Sequence, residues 1–190
     1  IMRAFDSFLR DQDGYGLSYY EVRCADGTGS ELVNYCKSFR KAGYDVCLFC
    51  DSDDRGVNAQ KDALRELDIT IADCDDGLCI EKQMFKDLSW AKISDLVNYG
   101  LSIKYDSIHS NVAVCGGDMT NPDWFNEGTE NIRTILGNAS VYKTHKQDKS
   151  WFKRVDHGQK LGEIICTDFE NPVVSKIYAQ LNTIRGWLLL

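Results

Sequence analysis

Tyr44-Asp45-Val46-Cys47-Leu48-Phe49-Cys50-Asp51-Ser52-Asp53-Asp54-Arg55-Gly56 is the stretch on which the reading of this chain turns. Tyr44 to Cys50 is short and nearly continuously apolar, the pattern of a strand buried in a parallel sheet. Acids follow at once, and Gly56 lets the chain turn sharply into a helix. Ligands of parallel sheets gather outside the carboxyl ends of the strands, where Asp51 and Asp53 stand. Carboxylates at this spacing can converge on one hard cation. The competing reading is an acidic loop in which Asp54 caps the following helix.

Working outward, Met2 to Leu9 has helical spacing and runs into a Gly14/Gly16 loop. Leu17 to Cys24 alternates as a strand, with Tyr20 and Val22 opposite Tyr19 and Glu21. Asp26-Gly27-Thr28-Gly29 is a tight turn, Ser30 an N-cap, and the helix that follows runs to about Lys41 before Gly43. Asn58 to Leu67 reads as the next helix and Ile69 to Ala72 as the next strand. The result is a βαβαβ pattern, hence an α/β fold with a parallel sheet and right-handed crossovers. The later chain is less regular. Ile80 to Leu88, Ile93 to Tyr99, Glu130 to Leu136 and Val173 to Leu190 read as helices, and Asn111 to Asp118 as a short strand. The expected division is a core over 1–89, a helical insertion over 90–140 and a closing part over 141–190.

The composition is that of a globular chain: 43% hydrophobic and 27% charged residues, with two prolines among 190 positions. A net charge of −7 argues against gripping nucleic acid by bulk electrostatics. The acids either form a solvated surface or are clustered around cations, which would invert the local charge. Eight cysteines are scattered, several inside apolar runs, as expected of free thiols in a reducing cytosol. Cys47 and Cys50 form a C-x-x-C, but on a strand their offset places them on opposite faces, and no second pair follows. Zinc is not expected. No stretch reaches the roughly 20 apolar residues of a membrane span. No secretory signal opens the chain, and Ile1 before Met2 reads as a cut from something longer.

A second acidic loop, Asp73-Cys74-Asp75-Asp76-Gly77-Leu78-Cys79-Ile80-Glu81, follows the next strand at the same sheet edge. Glu81 falls on the first turn of a helix, where it supplies a further oxygen ligand or simply offsets the helix dipole. Asp73, Asp75 and Asp76 read as solvated or dipole-compensating. The most basic stretch lies between Val141 and Lys160. If Lys149 to Arg154 is extended, Trp151 and Lys153 share one face and Phe152 points the other way into the core. His109, His145 and His157 show no ligand spacing.

The runs Asp26-Gly27-Thr28-Gly29, Asp51-Ser52-Asp53-Asp54-Arg55-Gly56 and Gly77-Leu78-Cys79-Ile80-Glu81 resemble the Toprim domain of OLD-family (overcoming lysogenisation defect) nucleases. Lys149-Ser150-Trp151-Phe152-Lys153-Arg154, with Gly158 and Leu161-Gly162, is similar to that family's C-terminal segment. The Asp-x-Asp is common to Toprim proteins, and the W-F-K element narrows the likeness to this family. The resemblance implies a Rossmann-like Toprim sheet flanked by helices, carrying a smaller helical insertion. It also implies a metal-dependent DNA endonuclease using two Mg²⁺ or Mn²⁺ ions. Asp51, Asp53 and Glu81 would be metal ligands. Lys153 would be the catalytic cation for developing phosphate charge, with Lys149 in reserve. DNA is the implied partner. ATP would enter only through an upstream ABC-type ATPase domain, a region through which a homodimer could also form. The family's first motif, a strand ending in Glu-Gly, is not in this sequence and is expected just before Ile1. Glu21, within a strand pattern, does not replace it, so the fragment is expected to bind metal incompletely and to cut poorly or not at all. Two other functions fit a strand followed by Asp-x-Asp. One is a haloacid-dehalogenase-type phosphatase with Asp51 as nucleophile, though a helix and strand precede the motif and Asp54 stands where that class carries Thr or Val. The other is a non-catalytic Toprim-like module that holds metal or a partner.

Overall fold

The structure, a computed structural model, describes residues 1–27, 31–126, 128–145, 147–152, 154–167 and 175–189. Helix α1 is Met2–Asp13, followed by a 3-10 turn at Leu17–Tyr20, α2 at Leu32–Lys41 and strand β1 at Cys47–Cys50. Then come α3 (Arg55–Asn58), α4 (Lys61–Arg65), strand β2 (Thr70–Asp73), α5 (Ile80–Asp87) and α6 (Trp90–Val114). Helices α7 (Pro122–Asn126), α8 (Glu130–Ser140), α9 (Val155–Cys166) and α10 (Lys176–Trp187) complete the order. The fold is thus mixed α/β and mostly helical. Among the described residues the sheet has two strands, β1 and β2, paired in parallel from Cys47↔Thr70 to Cys50↔Asp73. The chain divides into two compact units, 6–80 with 174–190, and 1–5 with 81–173. These bounds do not follow the expected breaks at 89 and 140, because α10 packs on β2 and β1. No helix among the described residues is long and apolar enough to cross a membrane.

In the unit holding the sheet, the apolar run forms β1 because one face of it, Val46, Leu48 and Cys50, meets apolar partners. Leu48 and Cys50 are buried with Val33 and Cys36 of α2, Val57, Leu64 and Ile69. Gly43 closes α2 at φ +90°, a conformation that glycine adopts without the Cβ penalty. Arg40 ties down the connections to both strands, donating to the Leu67 carbonyl at 2.9 Å and to Asp45 at 2.7 Å.

The strand expected over Leu17–Cys24 is absent. Leu17 to Tyr20 make a 3-10 turn, Glu21 takes a left-handed φ of +58°, and the Val22 N–H donates to the Leu17 carbonyl at 3.0 Å. A strand needs a neighbour for its backbone groups, whereas here local bonds satisfy them, including a 2.7 Å bond from the Leu17 N–H to the Asp6 carboxylate. The aromatic alternation therefore does not mark two sheet faces. Tyr19 is exposed and stacks on Tyr15 with ring centroids 4.0 Å apart.

In the other unit, Asn111–Val114 belongs to α6 and not to a strand. Asn111 is fully buried, and its amide donates to the carbonyls of Ala139 (3.3 Å) and Lys149 (2.9 Å). A polar residue on the buried face hid the helical period. Helix α6 is bent at Lys104 (φ −149°, ψ 51°), whose ammonium donates to the Ser150 carbonyl at 2.8 Å. Trp151 and Phe152 are both buried and meet edge-on at 6.0 Å, with Trp151 also edge-on to Phe85 at 5.6 Å. The expectation that Phe152 and Trp151 point to opposite faces is overturned: both serve one core.

Candidate metal centre

Asp51 leaves the end of β1 half-buried, and its Oδ1 accepts the Ile80 N–H at 2.7 Å. Burial pushes its carboxyl above the usual range, and the nearby Asp53 carboxylate pushes the same way, against the pull of the Ile80 bond. Asp53 is exposed. Among the described residues neither carboxylate is paired with a basic side chain. Asp54 does cap α3, its Oδ1 accepting the N–H groups of Gly56 (2.7 Å) and Val57 (3.1 Å). The capping reading therefore holds for Asp54 and leaves Asp51 and Asp53 unused by the helix.

Ser52, between the two acids, is 1% exposed and fully bonded. Its N–H donates to the Leu78 carbonyl at 2.8 Å, and its own carbonyl accepts the Gly77 N–H at 3.0 Å and the Asn58 amide at 2.6 Å. Its hydroxyl donates to the Cys74 carbonyl at 2.8 Å and accepts from the Lys61 ammonium at 2.8 Å. Gly77, at φ +76°, gives the 74–78 loop the turn that brings its amide to Ser52.

Lys61 is 8% exposed and forms a 2.8 Å ion pair with Asp73 at the end of β2. Lys176 approaches the same carboxylate at 3.5 Å. Burial opposes the charge on Asp73, but Lys61 and Lys176 outweigh it and hold the carboxyl below the usual carboxylate range. The reading of Asp73 as solvated is thus corrected. Lys61 went unnoticed because a lysine in an amphipathic helix is usually placed on its wet face. Its spacing was the signal: Val57, Lys61 and Leu64 fall on one buried stripe.

Glu81 sits on the first turn of α5 and belongs to the other unit from Asp51 and Asp53. Lys153 lies outside the described residues. Lys149, also in the other unit, is half-buried, and its N–H donates to the Tyr142 carbonyl at 3.1 Å. Neighbouring basic residues are paired locally: Lys143 with Asp148, Arg154 with Asp156 and Lys160 with Glu163. All eight cysteines are free. Burial raises Cys47 and Cys74 to about 12 and Cys50 to about 11.

Among the described residues, no group of three or more His, Cys, Asp or Glu side chains is placed to hold an ion. Asp51 and Asp53 offer carboxylate oxygens, the donor type that hard divalent cations take, with no basic side chain paired to either among the described residues. Mg²⁺ typically keeps several waters and takes one or two carboxylates together with substrate phosphate oxygens. Comparison with family models, with curated proteins and with solved structures returned no match.

Proposed function

We propose that this chain is the metal-binding part of a Toprim-type, OLD-family-like endonuclease that hydrolyses DNA phosphodiester bonds with Mg²⁺ or Mn²⁺. Asp51 carries the reading: a half-buried carboxylate at the carboxyl end of a parallel strand, raised by burial and by Asp53, with no base beside it. A divalent cation would relieve that electrostatic cost, and the same cation would admit a phosphate to an otherwise acidic loop. Asp51 and Asp53 would hold the ion, and the roles that the resemblance implies for Glu81 as a further ligand and for Lys153 or Lys149 in phosphate stabilisation belong to the same proposal. Bound ions would supply activation of water and charge neutralisation at the leaving oxygen. A second ion, the DNA partner, a cytoplasmic setting and attachment to an ATPase domain are parts of the same proposal.

Titration with Mn²⁺, followed by loss of the free-ion resonance signal, tests it. The 190-residue chain and Asp75→Asn should bind, and Asp51→Asn should not. Absence of binding by the unaltered chain, or equal binding by Asp51→Asn, would overturn the proposal.

A further inference from the structure

We infer that Ser52 and Lys61 are positioning residues that fix the Asp51 and Asp53 carboxylates for a divalent cation; this rests on the metal-binding reading above. Ser52 is the residue between the two acids, so the direction in which each leaves the backbone depends on how Ser52 is held. Its N–H, carbonyl and hydroxyl are all engaged, by Leu78, Gly77, Asn58, Cys74 and Lys61. These bonds join the loop after β1 to the loop after β2, and the Ile80 N–H bond to Asp51 crosses between the same two loops. Lys61 anchors the arrangement from below. It is buried, it bonds the Ser52 hydroxyl at 2.8 Å, and Asp73 neutralises it at 2.8 Å. A lysine taken out of water needs such partners, and a serine hydroxyl with both donor and acceptor capacity in use cannot rotate freely. The backbone from which both acids leave, and one oxygen of Asp51, are thereby held before any ion arrives, which lessens the reordering that binding requires.

The test is Mn²⁺ affinity in the 190-residue chain, measured beside thermal stability for each variant. Ser52→Ala leaves the Lys61–Asp73 pair intact and removes only the link to the loop. It should weaken Mn²⁺ about 10-fold or more, the scale for losing a group that orients a metal ligand. Lys61→Met discriminates by sign. Removing a positive charge near the acids would tighten the ion if the lysine acted only through its field, whereas loss of positioning weakens it. Val33→Ala, in the core of the same unit, lowers stability without touching Ser52 and should leave the affinity unchanged. Asn58→Ala, which removes the 2.6 Å bond to the Ser52 carbonyl, replaces either variant that does not fold. Unaltered affinity in folded Ser52→Ala, tighter binding in Lys61→Met, or equal weakening in Val33→Ala overturns the positioning role while the metal reading stands. Failure of the unaltered chain to bind Mn²⁺ overturns both.

Discussion

Asp51 just after β1 and Asp73 at the end of β2 stand at neighbouring strand ends of one sheet, and the fold handles their charges in opposite ways. Asp73 sits between Lys61 and Lys176, which draw its carboxyl below the usual range despite burial. Asp51 has a backbone N–H and an acidic neighbour, and its carboxyl is pushed up. One acid is paired within the scaffold, and the other has no basic side chain paired with it among the described residues. Acid content cannot separate the two roles, since both lie in acidic loops. The position of one buried lysine does.

The largest difference between the two acids is expected in cleavage. In an enzyme carrying this domain with its complete site, Asp51→Ala should slow single-turnover DNA cleavage by roughly 100-fold or more, the scale of losing one charge-stabilising group. Asp75→Ala should be mild, and equal losses would mean that the loops act by general electrostatics. On the scaffold side, Lys61→Met removes the buried partner of Asp73 and leaves it with Lys176 at 3.5 Å and the more exposed Arg65 at 3.9 Å. Urea unfolding should register a loss of about 3 kcal/mol, near the lower end for breaking a buried pair. A change below about 0.5 kcal/mol, as for an ordinary surface substitution, would remove Asp73 from the scaffold.

Saturating Mn²⁺ sharpens the contrast from the other direction. At about 100 times its dissociation constant it should stabilise the unaltered chain by about 2.7 kcal/mol, and Asp51→Asn hardly at all. The pH dependence should then run in opposite senses for the two acids. A raised carboxyl penalises the folded state while it is ionised, so without metal Asp51→Asn should be more stable than the unaltered chain near neutral pH. That gain should fade as pH falls through the raised value of Asp51 and vanish below its ordinary 3.8. A lowered carboxyl contributes stability above its ordinary 3.8 that is lost as pH falls through the folded value, so Asp73→Asn should cost stability at neutral pH and less in acid. Denaturation midpoints from neutral to strongly acidic pH decide this, and parallel curves for the two variants would contradict it. The smallest effect belongs to Asp54→Ala, which removes the α3 cap and should cost about 1 kcal/mol, with Mn²⁺ affinity within about threefold of the unaltered chain, since ion pairing at this exposure is weak.

From sequence alone, the order strand, helical segment, strand was legible around Asp51, although the one helix expected over Asn58–Leu67 is two short ones, Arg55–Asn58 and Lys61–Arg65. The apolar run Val46 to Cys50, bounded by Gly43 where the preceding helix stops and by the acids after Cys50, marks a short strand with those acids at its carboxyl end. Those signals are local, and backbone sterics and side-chain burial fix them within a few residues. Tertiary structure decided what depends on neighbours distant in sequence. Leu17 to Cys24 alternates like a strand, but the N–H groups of Leu17, Tyr19, Glu21 and Val22 bond to Asp6 and within a local turn instead of to a neighbouring strand. Asn111 breaks an apolar pattern yet lies fully buried in a helix, because carbonyls at 139 and 149 accept from its amide. Trp151 and Phe152 share one core despite their adjacent positions. Above all, whether an acid is solvated, paired or left for a cation is set by which base folds against it. Coulomb energy depends on distance and burial, and the chain reveals neither until Lys61 and Lys176 close on Asp73 and no base closes on Asp51.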